Sequence, residues 1–180
     1  RLKGFEVAHV IHRHGLDDET AFEVEAALMD AYPGLTNLAS GVGAGEFGAR
    51  HALEIIHEYA AEPAVFKHTA ILISVNRSAT EESSLYEATR YAWKISLTKA
   101  KKAEVILATM QGVLKGAFVA ERWLEATPKN FPGRPEVPGR FGFYGREAPD
   151  TIQRFYVGKR VPDRYRKKGA ANPIRYASKS

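Results

Sequence analysis

Apolar and polar positions follow a helical period in the first third of the chain. From Ala21 to Tyr32 the apolar side chains recur three and four residues apart, which predicts an amphipathic helix. Asp17 or Asp18 suits its N-cap, and the turn residues Pro33 to Asn37 stop it. A strand is expected before this helix, from Glu6 to His12, and a second helix after it, from about Ala49 to Ala60. This part of the chain is therefore expected to form an α/β layer.

After Pro63 the pattern is dominated by strands. Thr69 to Val75 is a continuous apolar run rich in β-branched residues, which is typical of a buried strand. Ala103 to Leu124 predicts two strands joined by a turn at Gly112. Further elements are expected as a helix with a capping box from Thr80 to Trp93, a short strand Phe141 to Gly145, and one or two helical turns Pro149 to Tyr156. We therefore predict an α+β fold in two parts, with a boundary near residues 61–67.

Composition narrows the class of protein. With 44% hydrophobic and 26% charged residues in 180, the chain resembles ordinary soluble domains. No apolar run reaches the roughly 18 residues that a membrane span requires, and no signal peptide is visible, so we expect no membrane partner. The absence of cysteine excludes disulfides, thiolate metal sites and a cysteine nucleophile. It also fits a cytoplasmic location.

Charge divides the chain at the same place as the strand pattern. Residues 1–62 carry four Lys/Arg and eleven Asp/Glu, whereas residues 63–180 carry twenty-two and ten. The second part is therefore strongly basic, and the run from Lys159 to Ser180 alone has eight basic residues and one acidic residue. Such asymmetry favours an anionic partner, with nucleic acid first, although a solubilising basic tail gives the same pattern.

One acidic residue breaks the amphipathic pattern of the first helix. On a helical wheel, Glu25 lies among the apolar side chains, such as Phe22 and Leu28, while the other acids of the helix point away. An unpaired buried carboxylate costs several kcal/mol, so a compensating partner is expected. The partner is either a basic side chain or a hard divalent cation, which Glu25 and Asn37 would hold through oxygen atoms.

The segment from Arg13 to Asn37, RHGLDDETAFEVEAALMDAYPGLTN, resembles the second half of a GIY-YIG nuclease domain. The likeness covers residues 5–45 and is closest to the subgroup also found in LEM-domain proteins. It consists of a basic-His-Gly-Leu turn, an alanine four residues before a glutamate, and a Leu-Thr-Asn turn. The resemblance implies Glu25 as metal ligand, Asn37 as supporting amide and His14 as auxiliary residue.

By this resemblance the reaction is phosphodiester hydrolysis, of DNA more than of RNA, at one Mg²⁺ or Mn²⁺ ion. The family's two tyrosine-bearing strands and its arginine helix normally precede this segment. We therefore expect the chain to be a fragment, inactive by itself. His9, His12 and His14 alternate along or just beyond the predicted strand, and we interpret them as structural because Mg²⁺ prefers oxygen ligands.

A permuted arrangement is the alternative to a fragment. Gly142-Phe143-Tyr144 and Tyr156-Val157-Gly158 reproduce the tyrosine motif with eleven residues between the tyrosines, and Arg164 follows Tyr156 by eight residues. Tyr144, Tyr156 and Arg164 would then be catalytic. The segment between the two motifs has a helical pattern, however, and Pro162 interrupts the helix that Arg164 requires.

The second part, residues 68–180, resembles the small PUA, ASCH and EVE barrels, which bind RNA or a modified base. The likeness rests on KISLTKAKKAEVILATMQGVLKGAFVAERW, RFGFYG and VGKRVP. It implies a small mixed β-barrel with peripheral helices, and a base-stacking pocket lined by Trp93, Trp123, Phe141 and Tyr144. These aromatic residues could equally fill the barrel core, which we favour for Trp93 and Phe141. The basic residues that we expect at a phosphate backbone are Arg122, Arg140, Lys159, Arg160, Arg164, Lys167 and Lys168.

Together these patterns predict a metal-dependent endonuclease in two parts. Residues 1–62 would be the carboxy-terminal half of a GIY-YIG-like domain, and residues 68–180 would be a barrel that selects the nucleic acid. The rival hypothesis is a protein that binds nucleic acid or a modified base without cutting it. Oligomeric state does not follow from the sequence.

Overall fold

The computed structural model describes residues 13–32, 52–76, 82–166 and 172–179. The helices are α1 Asp18–Ala31, α2 Ala52–Ala60, α3 Leu85–Arg90, α4 Leu97–Ala100 and α5 Asp150–Tyr156, with a 3₁₀ turn at Asp163–Tyr165. The strands are β1 Ala70–Ser74, β2 Val105–Met110, β3 Val113–Glu125, β4 Phe141–Glu147 and β5 Ile174–Ala177. None of the helices in these ranges is long and apolar enough to cross a bilayer.

All five strands belong to one mixed sheet, in the order β4-β3-β2-β1-β5. β1 and β2 are parallel, and the other neighbours are antiparallel. The predicted α+β class is therefore confirmed. The predicted PUA-like barrel is not, because β4 and β5 end the sheet on opposite sides and no strand pairing among the described residues joins them.

Apolar layers cover both faces of the sheet. One layer contains Leu72, Leu107 and Leu114 and packs against Tyr156 of α5, which is 0% exposed. The opposite layer contains Ile71, Ile106 and Phe118 together with α3 and α4 residues. Because β1 is covered on both faces, its sequence is continuously apolar rather than alternating.

The β2–β3 hairpin turns at Gln111 and Gly112, where the sequence predicts a turn. Both residues have positive φ, 50° and 74°, as a two-residue type I′ turn requires. A Cβ on Gly112 would lie 2.6 Å from Oε1 of Glu58, so the close approach of α2 also requires glycine. The side chain of Asn76 accepts a hydrogen bond from the Gln111 N–H at 2.7 Å.

Residues on either side of the predicted domain boundary are directly joined. Glu58 of α2 forms a buried ion pair with Arg166. The Arg160 N–H donates to the carbonyl of Glu62 and the Ala64 N–H donates to the carbonyl of Arg160, both at 2.9 Å. The described structure therefore places α2 against the strand-rich part of the chain.

The ends of the helices can be compared with the ends predicted from local sequence. Asp17 caps α1, accepting a hydrogen bond from the Thr20 N–H at 2.8 Å, as predicted. The helix predicted from Thr80 to Trp93 is shorter: Ser84 caps it by accepting from the Glu87 N–H. Ala92, with φ at 64°, follows its end. The predicted strand Glu6 to His12 and turn Pro33 to Asn37 lie outside the described residues.

Candidate nucleic-acid interface

Glu25 is exposed to solvent in the structure, and no residue of α1 is buried. The apolar side chains expected around its carboxylate are also open, with Phe22 51% and Tyr32 55% exposed. Helical periodicity indicates which face of α1 another element would cover, but it does not show that such an element packs there. The prediction that this carboxylate is turned into an apolar layer is wrong.

The described residues do not by themselves fit a divalent-cation site. Glu25 offers one carboxylate, His14 is exposed, and Asn37 lies outside the described ranges. Within those ranges no three His, Asp or Glu side chains converge, whereas a hard cation takes several oxygen ligands. The role of Glu25 as a ligand of Mg²⁺ or Mn²⁺ therefore stays a prediction.

The two tyrosine motifs of the permuted alternative do not lie on paired strands. Tyr144 belongs to β4, but residues 150–156, up to and including Tyr156, form the helix α5. The hydroxyl of Tyr156 accepts hydrogen bonds from two backbone N–H groups and is buried in the core. Arg164 lies in the 3₁₀ turn, with its guanidinium over the ring of Tyr165. The strand hairpin that the permutation needs is therefore replaced by a helix.

Three of the four aromatic residues predicted to line a base pocket pack in an apolar layer of the sheet. Trp93 donates its indole N–H to the carbonyl of Thr89 at 2.6 Å, and its backbone bridges that of Phe141. The ring of Trp123 lies 5.1 Å from that of Phe143. All three pack against the layer that contains Phe118. The core interpretation thus holds for Trp93 and Phe141, and it extends to Trp123.

Of the basic residues predicted at the phosphate backbone, those that the structure describes lie near two separate ends of β3. Arg122 pairs with Tyr144 towards the carboxy-terminal end, whereas Val113, at the other end, bridges Arg160. Arg122 follows Val113 by nine positions along β3, which corresponds to about 30 Å of extended chain. The predicted residues therefore form two groups and not one site.

The first group is built around the ring of Tyr144. This ring stacks on Phe131 with a centroid distance of 5.0 Å, and the guanidinium carbons of Arg90 and Arg122 lie 5.2 and 4.9 Å from its centroid. Its hydroxyl donates to the carbonyl of Asn130 at 2.8 Å. A nucleobase would have to displace one of these groups to stack on Tyr144, so this ring is not an open platform.

Ion pairs attach the loop that follows β3 to the region of helix α3. Arg134 contacts the carboxylates of both Glu82 and Glu87, and Arg90 contacts Glu87 at 2.8 Å. The hydrogen bond from Arg134 lowers the pKa of Glu82, and the same bond raises the pKa of Arg134. Because these cations are neutralised within the fold, they hold the loop rather than face a phosphate. Nearby, Arg140 donates to the carbonyl of Ala92 at 3.0 Å.

The second group centres on Phe155 in α5. The ammonium groups of Lys159 and Lys67 lie 4.5 and 4.8 Å from the centre of its ring. Neither lysine forms an ion pair with a carboxylate in the part of the chain that the structure describes. Arg160 differs, because it is paired with Asp163 at 2.7 Å. Lys167 and Lys168 lie outside the described residues.

Two further exposed cations, Lys115 on β3 and Arg154 on α5, are considered together with this group, and we call the four residues the α5 surface: Lys67, Lys115, Arg154 and Lys159. Lys115 and Arg154 are exposed, and neither has a carboxylate partner among the described residues. Lys115 is the extra residue of a bulge in β3, between the paired residues Leu114 and Gly116. Arg154 faces outward from α5.

Long-range packing brings Lys67 to this surface. The hydroxyl of Tyr156 accepts hydrogen bonds from the N–H groups of Lys67 at 3.0 Å and His68 at 3.2 Å. These bonds join positions 89 and 88 residues apart in sequence. Sequence reasoning missed Lys67, Lys115 and Arg154. Only the alternation of buried and exposed positions in β3 and α5 could have indicated the last two.

Comparison of the chain with protein-family models, with curated proteins and with solved structures finds no significant match in any of the three. The functional interpretation therefore depends on the geometry of the site and on the sequence itself.

Proposed function

We propose that the strand-rich part of the chain binds nucleic acid without cutting it, and that the α5 surface contacts the phosphate backbone. The observation that carries this proposal is the placement of Lys67 and Lys159 beside Phe155 with no carboxylate partner among the described residues. Lysine ammonium groups that are not neutralised within the fold are suited to replace the counterions of a phosphate backbone.

The charge of the chain supports the same function. Residues 63–180 have twelve more basic than acidic residues, and the described arginines that are paired within the fold lie mainly at the α3 loop and the 3₁₀ turn. The α5 surface is thus one of the places where exposed cations without a carboxylate partner remain among the described residues. A basic surface of this kind attracts nucleic acid and speeds its association.

Fluorescence anisotropy with labelled DNA and RNA oligonucleotides, single-stranded and duplex, tests this function. We expect wild-type protein to bind at low salt, and the double variant Lys67→Gln/Lys159→Gln to bind roughly tenfold more weakly. Lys101→Gln/Lys102→Gln is the matched control, since it removes the same charge from exposed positions near α4. Equal weakening by both pairs would show that only net charge matters, and would contradict an α5 interface.

Phosphodiester cleavage is the second candidate, and the resemblance of residues 5–45 to GIY-YIG nucleases favours it. An exposed Glu25 is at least accessible to a divalent cation. A nicking assay with Mg²⁺ on the full-length protein compares wild type with Glu25→Gln, and uses Glu19→Gln in the same helix as control. Cleavage that survives Glu25→Gln would remove this glutamate from the mechanism.

A further inference from the structure

An open groove lies beside the α5 surface where β4 stops short of β3. β4 ends at Glu147, opposite Phe118, so the residues of β3 from Val113 to Ala117 have no β4 partner. At Ala117 the side-chain amide of Gln153 forms hydrogen bonds of 3.2 and 2.8 Å with the backbone N–H and C=O, and the Ala148 N–H donates to the same C=O at 2.9 Å. The space between α3, β3 and α5 is left as a groove.

A glycine of β3 lies at the floor of this groove. A Cβ on Gly116 would lie 2.7 Å from a methyl carbon of Leu85, so a larger residue there would have to displace the Leu85 side chain. The groove has a volume of about 560 Å³. This value lies within the range of about 300–1,000 Å³ that is typical of small-molecule sites.

The lining combines an apolar base with charged groups that do not neutralise one another. Leu85, Phe118 and Val157 supply apolar surface, whereas Lys115, Arg154 and Glu147 supply charge. None of these three charged groups forms an ion pair, either with another of the three or with any other described residue. Two cations and one carboxylate around an apolar groove match a ligand that carries both an anionic group and a hydrogen-bond donor.

We propose that this groove holds one nucleotide with an amino-bearing base, cytidine 5′-monophosphate being the simplest form. Lys115 and Arg154 contact the phosphate of the nucleotide. The apolar floor of the groove contacts the pyrimidine ring, and Glu147 accepts a hydrogen bond from the exocyclic amino group. A carboxylate accepts from the N4 amino group of cytosine but repels the O4 carbonyl of uracil. The inference rests on the proposed function, because a bound strand would place such a nucleotide beside the α5 surface.

Isothermal titration with cytidine 5′-monophosphate, uridine 5′-monophosphate and inorganic phosphate tests the groove directly. We expect the cytidine nucleotide to bind roughly tenfold more tightly than the uridine nucleotide, as one charge-assisted hydrogen bond allows. Glu147→Gln should abolish this preference, and Lys115→Gln/Arg154→Gln should weaken both nucleotides. Lys101→Gln/Lys102→Gln is the control, and thermal melting checks that each variant is folded.

The inference would be overturned by no binding of the cytidine nucleotide to wild type, or by equal binding of it to wild type and to Lys115→Gln/Arg154→Gln. Equal binding of the two nucleotides would remove Glu147 from base recognition and would likewise contradict it. Oligonucleotide binding by Lys67→Gln/Lys159→Gln is measured separately, so a failure of the groove is distinguishable from a failure of the α5 surface.

Discussion

Glu58 and Arg166 form an ion pair beneath the β2–β3 turn, with only 1% and 4% of their side chains exposed. The pair joins α2 to the end of the 3₁₀ turn and lies against Gly112. A boundary predicted near residues 61–67 would separate these two side chains, yet the fold buries them together. The two charges must compensate each other because both groups lose their hydration when they are buried.

Removing one member of this pair should destabilise the protein strongly. Glu58→Gln removes the buried carboxylate that contacts the Arg166 guanidinium, and we expect a loss of about 3 kcal/mol of unfolding free energy, since Asp163 also lies 4.0 Å from this guanidinium. Urea unfolding measures it, with Glu62→Gln, an exposed position just after α2, as control. The double variant Glu58→Met/Arg166→Met should recover much of the loss. If the double variant lost as much unfolding free energy as Glu58→Met and Arg166→Met lose in sum, this would contradict the coupling of the two side chains.

Gly112→Ala should also destabilise the hairpin. The residue has φ at 74°, and a Cβ would lie 2.6 Å from Glu58 Oε1 and 3.0 Å from the Arg166 guanidinium. A strained backbone position costs about 1–3 kcal/mol, and displacement of the ion pair adds to this. Gly133→Ala is the matched control, because φ there is also positive, at 81°, but no atom lies within 4 Å. Similar losses of unfolding free energy at the two glycines would show that the ion pair does not restrict the size of the residue at position 112.

Glu104 should make stability depend on pH in the acid range. Hydrogen bonds from the Thr69 backbone, and then from Lys179, lower the pKa of Glu104 from 4.5 to about 2. Since the folded pKa is depressed, this stabilisation is complete above about pH 4.5 and is lost as pH falls towards 2. Thermal melting between these pH values should show a shallower decline for Glu104→Gln than for wild type. The same slope in both would contradict the assignment, and Glu136→Gln, at an exposed loop position, is the control.

Tyr156→Phe should loosen the segment that carries Lys67. The change removes the acceptor for the partly buried N–H groups of Lys67 and His68. An unsatisfied donor costs about 1–3 kcal/mol when it is fully buried, and less where water reaches it. Hydrogen exchange of these two amides should accelerate relative to wild type. Tyr32→Phe, at an exposed ring, is the control. Unchanged exchange at residues 67 and 68 would show that the hydroxyl does not anchor this segment.

Local signals predicted the strands and the hairpin. The apolar run Thr69 to Val75 contains β1, and the turn at Gly112 follows from the need for positive φ between two strands. Both features depend on residues that are neighbours in sequence. The closure of the sheet depends on pairing between distant strands, and there the predicted barrel was not confirmed.

The candidate site depended on long-range packing and was therefore predicted only in part. Lys159 was expected from the basic character of its segment, but Lys67 reaches Phe155 only because Tyr156 holds it there. Trp123 was expected to stack on a base, and instead it packs on Phe143. The wheel position of Glu25 indicated burial, yet burial requires a partner element that hydropathy does not identify.

The salt dependence of oligonucleotide binding tests the α5 surface most directly. The slope of log affinity against log salt concentration falls by about 0.7 for each single-strand phosphate contact that is removed. We predict that Lys67→Gln/Lys159→Gln lowers this slope by about twice that value, while Lys101→Gln/Lys102→Gln leaves it unchanged. A wild-type affinity that does not change with salt, or a slope that stays the same without Lys67 and Lys159, would contradict the proposed interface.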